Sequence, residues 1–323
     1  VWNSGIAWNL LLQHLGPGWK TPMEVLSFLG TETFFLLLLP ALYWCVDAGL
    51  GLRVGVMLLL NASVNDGLKM LFHGPRPYWC SADITAYAGE TSFGPPSGHA
   101  QIATGVWGML AAGFRRAWGW AVAVVIILSI GVSRLYLGVH FPHDVAAAWL
   151  IGALLLWIVL KAWDPVAARV AAWSPNRRLL AAFLSSMAMV LFSLLPFAWL
   201  KVASWQPPPD WAGHAANAVS MKTALTTAGT LFGFLAGRVW LDRRGGFAID
   251  GPPGRRLLRF ILGLVGLLVL YLGLKGLFAL IVPDADAALP YVLRYVRYVL
   301  VGGWISAGAP WMFLRLKPAG PAV

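Results

Sequence analysis

The chain has 323 residues, of which 59% are hydrophobic and 11% charged, with a mean hydropathy of +0.71. A soluble domain carries about 25% charged residues, so this composition excludes a soluble enzyme, a disordered chain and a repeat solenoid. The formal charge of +11 would point to nucleic acid in a soluble protein. In a lipid-buried chain it reflects basic cytoplasmic loops instead, and no nucleic-acid partner is expected. Two cysteines imply no disulfide framework.

Taken in chain order, the first twenty residues, with Trp2, Trp8, His14 and Trp19, read as a short interfacial helix without the basic start and cleavage site of a signal peptide. Apolar runs long enough to cross a bilayer then fall near 24–47, 53–72, 98–114, 117–137, 142–162, 179–200, 216–239, 257–282 and 291–313. The expected fold is all-α, a polytopic membrane helix bundle of about nine spans. Residues 1–165 would hold the N-terminal helix and spans one to five. Residues 166–323 would hold the remaining spans, divided from the first part by the Pro- and Arg-bearing linker at 163–178.

Basic residues such as Arg115, Arg116, Arg177, Arg178, Arg243, Arg244, Arg255 and Arg256 collect in one set of loops. The positive-inside rule then puts the C-terminus in the cytoplasm and the N-terminus outside. The Ala, Gly, Arg and Trp richness points to a bacterial cytoplasmic membrane. Glu32, Asp66, Lys69, Arg134, Lys222, Lys275, Arg294 and Arg297 lie inside spans. Such groups usually face a wet cavity, and the outermost ones snorkel to the headgroups. Arg294 and Arg297, three apart on one helix face, read either as partners of Asp284 and Asp286 or as contacts of an anionic group. Cys45 and Cys80 fall on opposite sides and cannot pair.

Three stretches on the outer side carry chemistry. Lys69 and Arg76 close span two, Pro96-Ser97-Gly98-His99 opens span three, and Ser133-Arg134 with His140 and Asp144 joins spans four and five. Ser97 is a good N-cap, and the free first-turn amides behind it form an anion site that Gly98 lets a ligand approach. Lys69, Arg76 and Arg134 together can hold the oxygens of a tetrahedral phosphate. Pro142 suits the first helical position and puts Asp144 in the first turn. Asp144 can then accept the proton on one nitrogen of His140 and leave the other free as a nucleophile. His99 is the candidate for proton transfer. His143 and His73 read as local hydrogen bonders, and His14 and His214 as interfacial. Each piece alone also admits a plain structural reading, as a helix cap, a snorkelling cation or a dipole-facing carboxylate.

Assembled, these residues resemble the type 2 phosphatidic acid phosphatase superfamily. Its pattern is Lys-x6-Arg-Pro, then Pro-Ser-Gly-His, then Ser-Arg-x5-His-x3-Asp, and every specified position is filled between residues 69 and 144. The resemblance implies that Lys69, Arg76, Ser97, Gly98 and Arg134 bind phosphate. It implies that His140 becomes a phosphohistidine, oriented by Asp144, and that His99 protonates the leaving group and then activates water. No metal and no cofactor are implied. Arg76-Pro77-Tyr78-Trp79 and Ser133-Arg134-Leu135-Tyr136-Leu137 are also similar to the glucose-6-phosphatase branch. The expected function is hydrolysis of a lipid phosphate or diphosphate on the outer face, with membrane lipids as surroundings. The alternatives are a soluble sugar phosphate as substrate, or a transporter that keeps the anion pocket without turnover.

Overall fold

Long runs of Leu, Val, Ala and Phe with few breakers leave the backbone no partner but itself in lipid, so the chain is built of helices. A computed structural model describes residues 2–215, 217–281 and 288–316. Asp284 and Asp286, proposed partners of the arginine pair, lie outside the described residues. The helices are α1 (Trp2–Gln13), α2 (Lys20–Phe28), α3 (Glu32–Ala41), α4 (Ala48–Phe72), α5 (Pro77–Cys80), α6 (Gly98–Phe114) and α7 (Ala117–Tyr136). They continue as α8 (Pro142–Ala171), α9 (Pro175–Val202), α10 (Ala212–Ala215), α11 (Lys222–Asp242), α12 (Pro253–Ile281), α13 (Ala288–Gly303) and α14 (Ala309–Leu316). Among the described residues there is no strand.

Among the described residues seven helical segments are long and apolar enough to cross a membrane, or eight if a bent pair is counted as one span. The expected span at 24–47 is that pair: α2 and α3 meet at 44° across a short break. Pro40 sits near the end of α3, and a π turn at Leu42–Val46 follows. The expected span at 98–114 is α6, which has 17 residues, at the short end of what crosses a bilayer. Most of α6 is buried in protein, from Ala100 to Ala111. It is a core helix that neighbouring helices shield from lipid.

The described chain divides into two compact units. The first comprises residues 1–35, 60–162 and 192–221, the second residues 36–59, 163–191 and 222–323. In the first unit small residues let helices approach. A Cβ on Gly131 of α7 would meet the Val145 side chain of α8 at 2.8 Å, and one on Gly152 of α8 would meet the Gln101 carbonyl of α6 at 2.7 Å. Ala100, Val145 and Ala148 form the resulting contact, with Leu135 and Trp149 against it. Tyr136, Leu137, Val139 and Met23 make a second buried cluster. Leu150, Leu154 and Trp157 on α8 stay exposed, as lipid-facing side chains do.

The second unit rests on a Gly-x3-Gly-x3-Gly face of α11, a small-residue pattern that lets membrane helices touch backbone to backbone. A Cβ on Gly229 would sit 2.6 Å from the Tyr295 carbonyl of α13. Two tryptophans tie two π turns (Leu42–Val46 and Trp304–Gly308) into the unit: Trp44 Nε1 donates across them to the Ile305 carbonyl (2.8 Å), and Trp304 Nε1 donates to the Gly263 carbonyl of α12 (2.9 Å). Arg297 lies between the rings of Tyr271 and Tyr298, 5.3 and 5.1 Å from their centroids. Arg294 donates to Thr226 Oγ1 (3.3 Å). Cys45 and Cys80 are both free.

Candidate active site

Lys69, Arg76, Ser97, Gly98, His99, Arg134, His140 and Asp144 all fall in the first unit, between the end of α4 and the first turn of α8, whereas Lys222, Lys275, Arg294 and Arg297 fall in the second. Lys69 occupies the last turn of α4, and Arg76 is the residue before Pro77, which starts α5. The residue before a proline is held extended, and Arg76 has φ −102° and ψ 159°. Its side chain is thereby turned back into the unit, where it is 1% exposed.

Arg76 is held from several sides. Its Nε donates to the Ser92 carbonyl (2.7 Å) and its Nη1 to the Val139 carbonyl (2.9 Å). Its Nη2 donates to Ser92 Oγ and the Phe93 carbonyl, both at 3.1 Å. Lys69 Nζ donates to the carbonyls of Phe93 (2.5 Å) and Gly94 (3.0 Å). Arg134, in the last turn of α7, gives Nη1 to Ser27 Oγ (2.6 Å) and Nη2 to the Glu90 carboxylate. A second Glu90 oxygen lies 3.7 Å from Arg76 Nη2. Burial alone would raise the Glu90 carboxyl, but Arg76 and Arg134, then His99 and Lys69, outweigh it and hold it at about 2.

The Pro96–His99 turn sits where α6 begins. Ser97 takes the expected cap position, with φ −64° and ψ 114°, but its hydroxyl does not cap the helix. Instead Ser97 Oγ is buried without a hydrogen-bond partner among the described residues, and so is Arg134 Nε. Buried polar atoms are ordinarily satisfied, so these two mark a place for a polar ligand, and a phosphate oxygen suits both donors. The turn is held by Asn65 of α4, whose Nδ2 donates to the Pro96 carbonyl (3.1 Å) and Gln101 Oε1 (2.9 Å). A Cβ on Gly98 would lie 3.1 Å from Asn65 Oδ1, so the glycine keeps this turn close to α4. His99 follows in the first turn of α6, within electrostatic reach of Arg134, Glu90, Arg76 and Lys69.

His140 precedes α8 and is 1% exposed. Asp144 Oδ2 accepts from the Phe141 backbone N–H (2.9 Å) and lies 3.3 Å from His140 Nδ1. Arg76 Nη1, which can only donate, lies 3.3 Å from His140 Nε2. The two contacts assign the tautomer: the proton sits on Nδ1 toward Asp144, and the Nε2 lone pair faces the cations. Burial, and then Arg76, Lys69 and Arg134, push the His140 imidazolium well below its ordinary range, so the ring is a neutral base at physiological pH. His143 lies beside Asp144, its Nε2 3.3 Å from Oδ1, with its ring stacked on Phe141.

Several contributors were not read from the sequence. Asn9, fully buried, donates Nδ2 to the carbonyls of Leu135 (2.8 Å) and His140 (3.0 Å). Gln13 Nε2 donates to the carbonyls of Tyr136 (2.9 Å) and Thr85 (2.8 Å). α1 is therefore a brace for the segment carrying His140, a larger part than that of a helix resting at the interface. The signal was two amides one helical turn apart in an apolar helix. The 203–215 segment forms an aromatic roof. Trp205 meets Phe93 (5.5 Å) and His73 (5.4 Å), Trp211 meets Trp79 (5.7 Å), and His214 stacks on Trp79 (6.1 Å). His73 and His214 are thus ring partners in this roof. Among the described residues no group of three His, Cys, Asp or Glu side chains is placed to ligate a metal.

Lys69, Arg76 and Arg134 thus cluster about His99 and His140, in a chain of membrane-spanning helices. Profile comparison agrees in class: the PAP2 superfamily matches residues 50–166, and the PAP2 superfamily phosphatase, transmembrane extension, matches residues 225–321. The chain belongs to the PAP2 superfamily and is a membrane phosphatase of that type.

Among individual proteins it is 25% identical to glucose-6-phosphatase 3 of Bos taurus over 344 residues, covering 96% of this chain and 94% of that one. It is 30% identical to sphingosine-1-phosphate phosphatase 2 of Mus musculus over 141 residues, covering 42% of this chain and 40% of that one. A solved structure, the transmembrane PAP2 type phosphatidylglycerolphosphate phosphatase from Bacillus subtilis, is similar with a TM-score of 0.44 and 26% identity. That similarity covers 50% of this chain and 85% of that one.

Proposed function

We propose that the chain hydrolyses a phosphate monoester through a phosphohistidine on His140, without a metal, and that its substrate is a soluble sugar phosphate. The observation that carries the chemistry is the orientation of His140, with Nδ1 toward Asp144 and Nε2 toward Arg76. Lys69, Arg76 and Arg134 would hold the phosphate oxygens, with Ser97 Oγ and the Gly98 amide completing the cradle. Nε2 attacks phosphorus as the bond to the ester oxygen breaks, and His99, which the bound phosphate dianion makes more basic, gives that oxygen a proton. Positive charge then grows on the ring, and Asp144 stabilises it from behind. In the second half His99 takes a proton from water, whose oxygen attacks phosphorus, and the P–Nε2 bond breaks to release phosphate. Fixed cations offset the charge on the transferring group, the part a metal plays in other phosphoryl transfers.

The sugar reading reverses the order that the sequence suggested. It rests on the end-to-end correspondence with glucose-6-phosphatase 3, which takes in the C-terminal half that the motifs leave unexplained. A lipid phosphate is the second reading, supported by the higher identity to sphingosine-1-phosphate phosphatase 2 across a shorter stretch. In both readings the site opens on the non-cytoplasmic side, from the distribution of basic loops.

The test is phosphate release by purified protein in micelles and liposomes, with glucose 6-phosphate, sphingosine 1-phosphate and phosphatidate compared by kcat/KM. A preference for the sugar of tenfold or more is the expected result. A preference for either lipid would move the chain to the second reading. The His140→Ala variant should release no phosphate above background, and full activity in it would remove the phosphohistidine.

A further inference from the structure

We propose that Glu90 is a specificity-determining residue: its carboxylate competes with the substrate for Arg134 and Arg76, so that only a terminal phosphate group displaces it. The inference rests on the cradle reading above and goes a step beyond it. Glu90 belongs to no sequence motif singled out for this chain, yet its two oxygens face two of the three cations assigned to phosphate.

The donors around it are largely committed. Arg76 spends Nε, Nη1 and Nη2 on Ser92, Val139 and Phe93. Arg134 spends Nη1 on Ser27, and Glu90 holds its Nη2. An incoming phosphate that uses the whole outer edge of Arg134, Nε and Nη2 together, must take Nη2 from Glu90. Two anions on one guanidinium edge repel, so the carboxylate has to leave as the phosphate arrives.

The way it leaves is constrained. The Glu90 carbonyl accepts from Tyr78 Oη (3.1 Å). The residues that follow are pinned by Arg76, Lys69 and the Gly94 N–H bond to the Gly74 carbonyl (3.0 Å). The backbone is tethered at Glu90 and just after it, so the movement falls to the side chain, which is 23% exposed and has solvent to turn into. A dianion with three terminal oxygens gains enough from the three cations to drive that turn. A phosphodiester or a carboxylate, with one charge and fewer terminal oxygens, gains less and is excluded. After hydrolysis the returning carboxylate helps inorganic phosphate leave.

The experiment measures binding of inorganic phosphate to the full chain in detergent by titration calorimetry, for wild type, Glu90→Gln and Glu90→Asp. Bis(p-nitrophenyl) phosphate serves as the monoanionic diester probe. If the carboxylate holds the cradle in nine of ten unliganded molecules, removing it tightens phosphate about tenfold. KM should fall with it, and the preference for phosphate over the diester should shrink. Glu90→Asp, whose carboxylate is drawn back by one methylene, should fall between the two.

Unchanged or weaker phosphate binding in Glu90→Gln would mean that the carboxylate only orders the arginines, and the proposal would be wrong. Loss of folded protein in both variants would refute it equally, because a competitor for substrate is dispensable to the fold. Failure of wild type to bind phosphate at all would instead strike the cradle reading, a result distinct from these.

Discussion

Replacing Asp144 with Asn removes one negative charge from behind the His140 ring and changes its size hardly at all. The carboxylate lies 3.3 Å from Nδ1. At that separation and an effective dielectric of about 20, a full ion pair is worth about 5 kcal/mol. If half the imidazolium charge has developed at the transition state, about 2.5 kcal/mol of stabilisation is lost, a factor of roughly a hundred in kcat. The backbone bond from Phe141 to Oδ2 (2.9 Å) can persist to the Asn carbonyl oxygen, so the ring should stay in place and KM should change little. Single-turnover kinetics with rapid quenching would separate formation of the phosphoenzyme from its hydrolysis, and the loss should fall on formation. A kcat within threefold of wild type would refute the reasoning, since it would leave Asp144 no part in stabilising the charge on His140.

Other outcomes follow from the same geometry. Because burial and the neighbouring cations hold the His140 imidazolium well below the ordinary value of 6.5, the neutral nucleophile persists as pH falls through 6.5. kcat should therefore show no acid limb there from this residue, to be checked with two esters that differ in phosphate pKa. A shared limb at 6.5 for both esters, absent from phosphoenzyme hydrolysis, would contradict this. Asn9→Ala removes the amide donor of the buried His140 carbonyl and one of the two donors to the Leu135 carbonyl, which keeps the Gly138 N–H. It should cost about 1–3 kcal/mol of stability and lower kcat more than it raises KM; thermal unfolding and steady-state kinetics together would detect it, and an unaltered enzyme would dismiss the brace. Gly229→Leu forces a side chain into the Tyr295 carbonyl at 2.6 Å and should destabilise the chain by about 1–3 kcal/mol, read as a lower unfolding temperature in detergent.

The three stretches proposed to be catalytic were legible because each is short and contiguous in sequence. A cap position, a proline before a helix and a carboxylate four residues after a histidine each admit a plain structural reading alone, and it is their assembly at the spacings of one family pattern that carries meaning. The bounds of the span at 98–114 match α6, but its burial is not legible. Hydropathy and length do not separate a helix wrapped by other helices from one facing lipid, and α6 is the wrapped kind. Ser97 was assigned to the right position, but its hydroxyl is left open for a ligand, a choice that depends on Asn65 holding the turn from α4. Glu90 was missed because a lone acid in a Gly-, Ser- and Pro-containing stretch has no periodicity to mark it, and its partners lie 14 and 44 positions away. Asn9 was missed for a related reason: nothing near it in sequence says that its partners are 126 and 131 positions away.

The order in which the chain is made now matters to when the first unit is complete. A ribosome that has released the first 165 residues has delivered Lys69, Arg76, Ser97, Gly98, His99, Arg134, His140 and Asp144, yet the unit holding them also needs residues 192–221. Trp205, which covers Phe93, whose carbonyl receives both Lys69 and Arg76, arrives only after α9 has been threaded. Until then the segment that anchors two of the three cations is unroofed. The packing of Trp205 on Phe93 is thereby deferred to a late stage of membrane insertion, and a nascent chain stalled between α8 and α9 would display the whole motif set while lacking that ring contact.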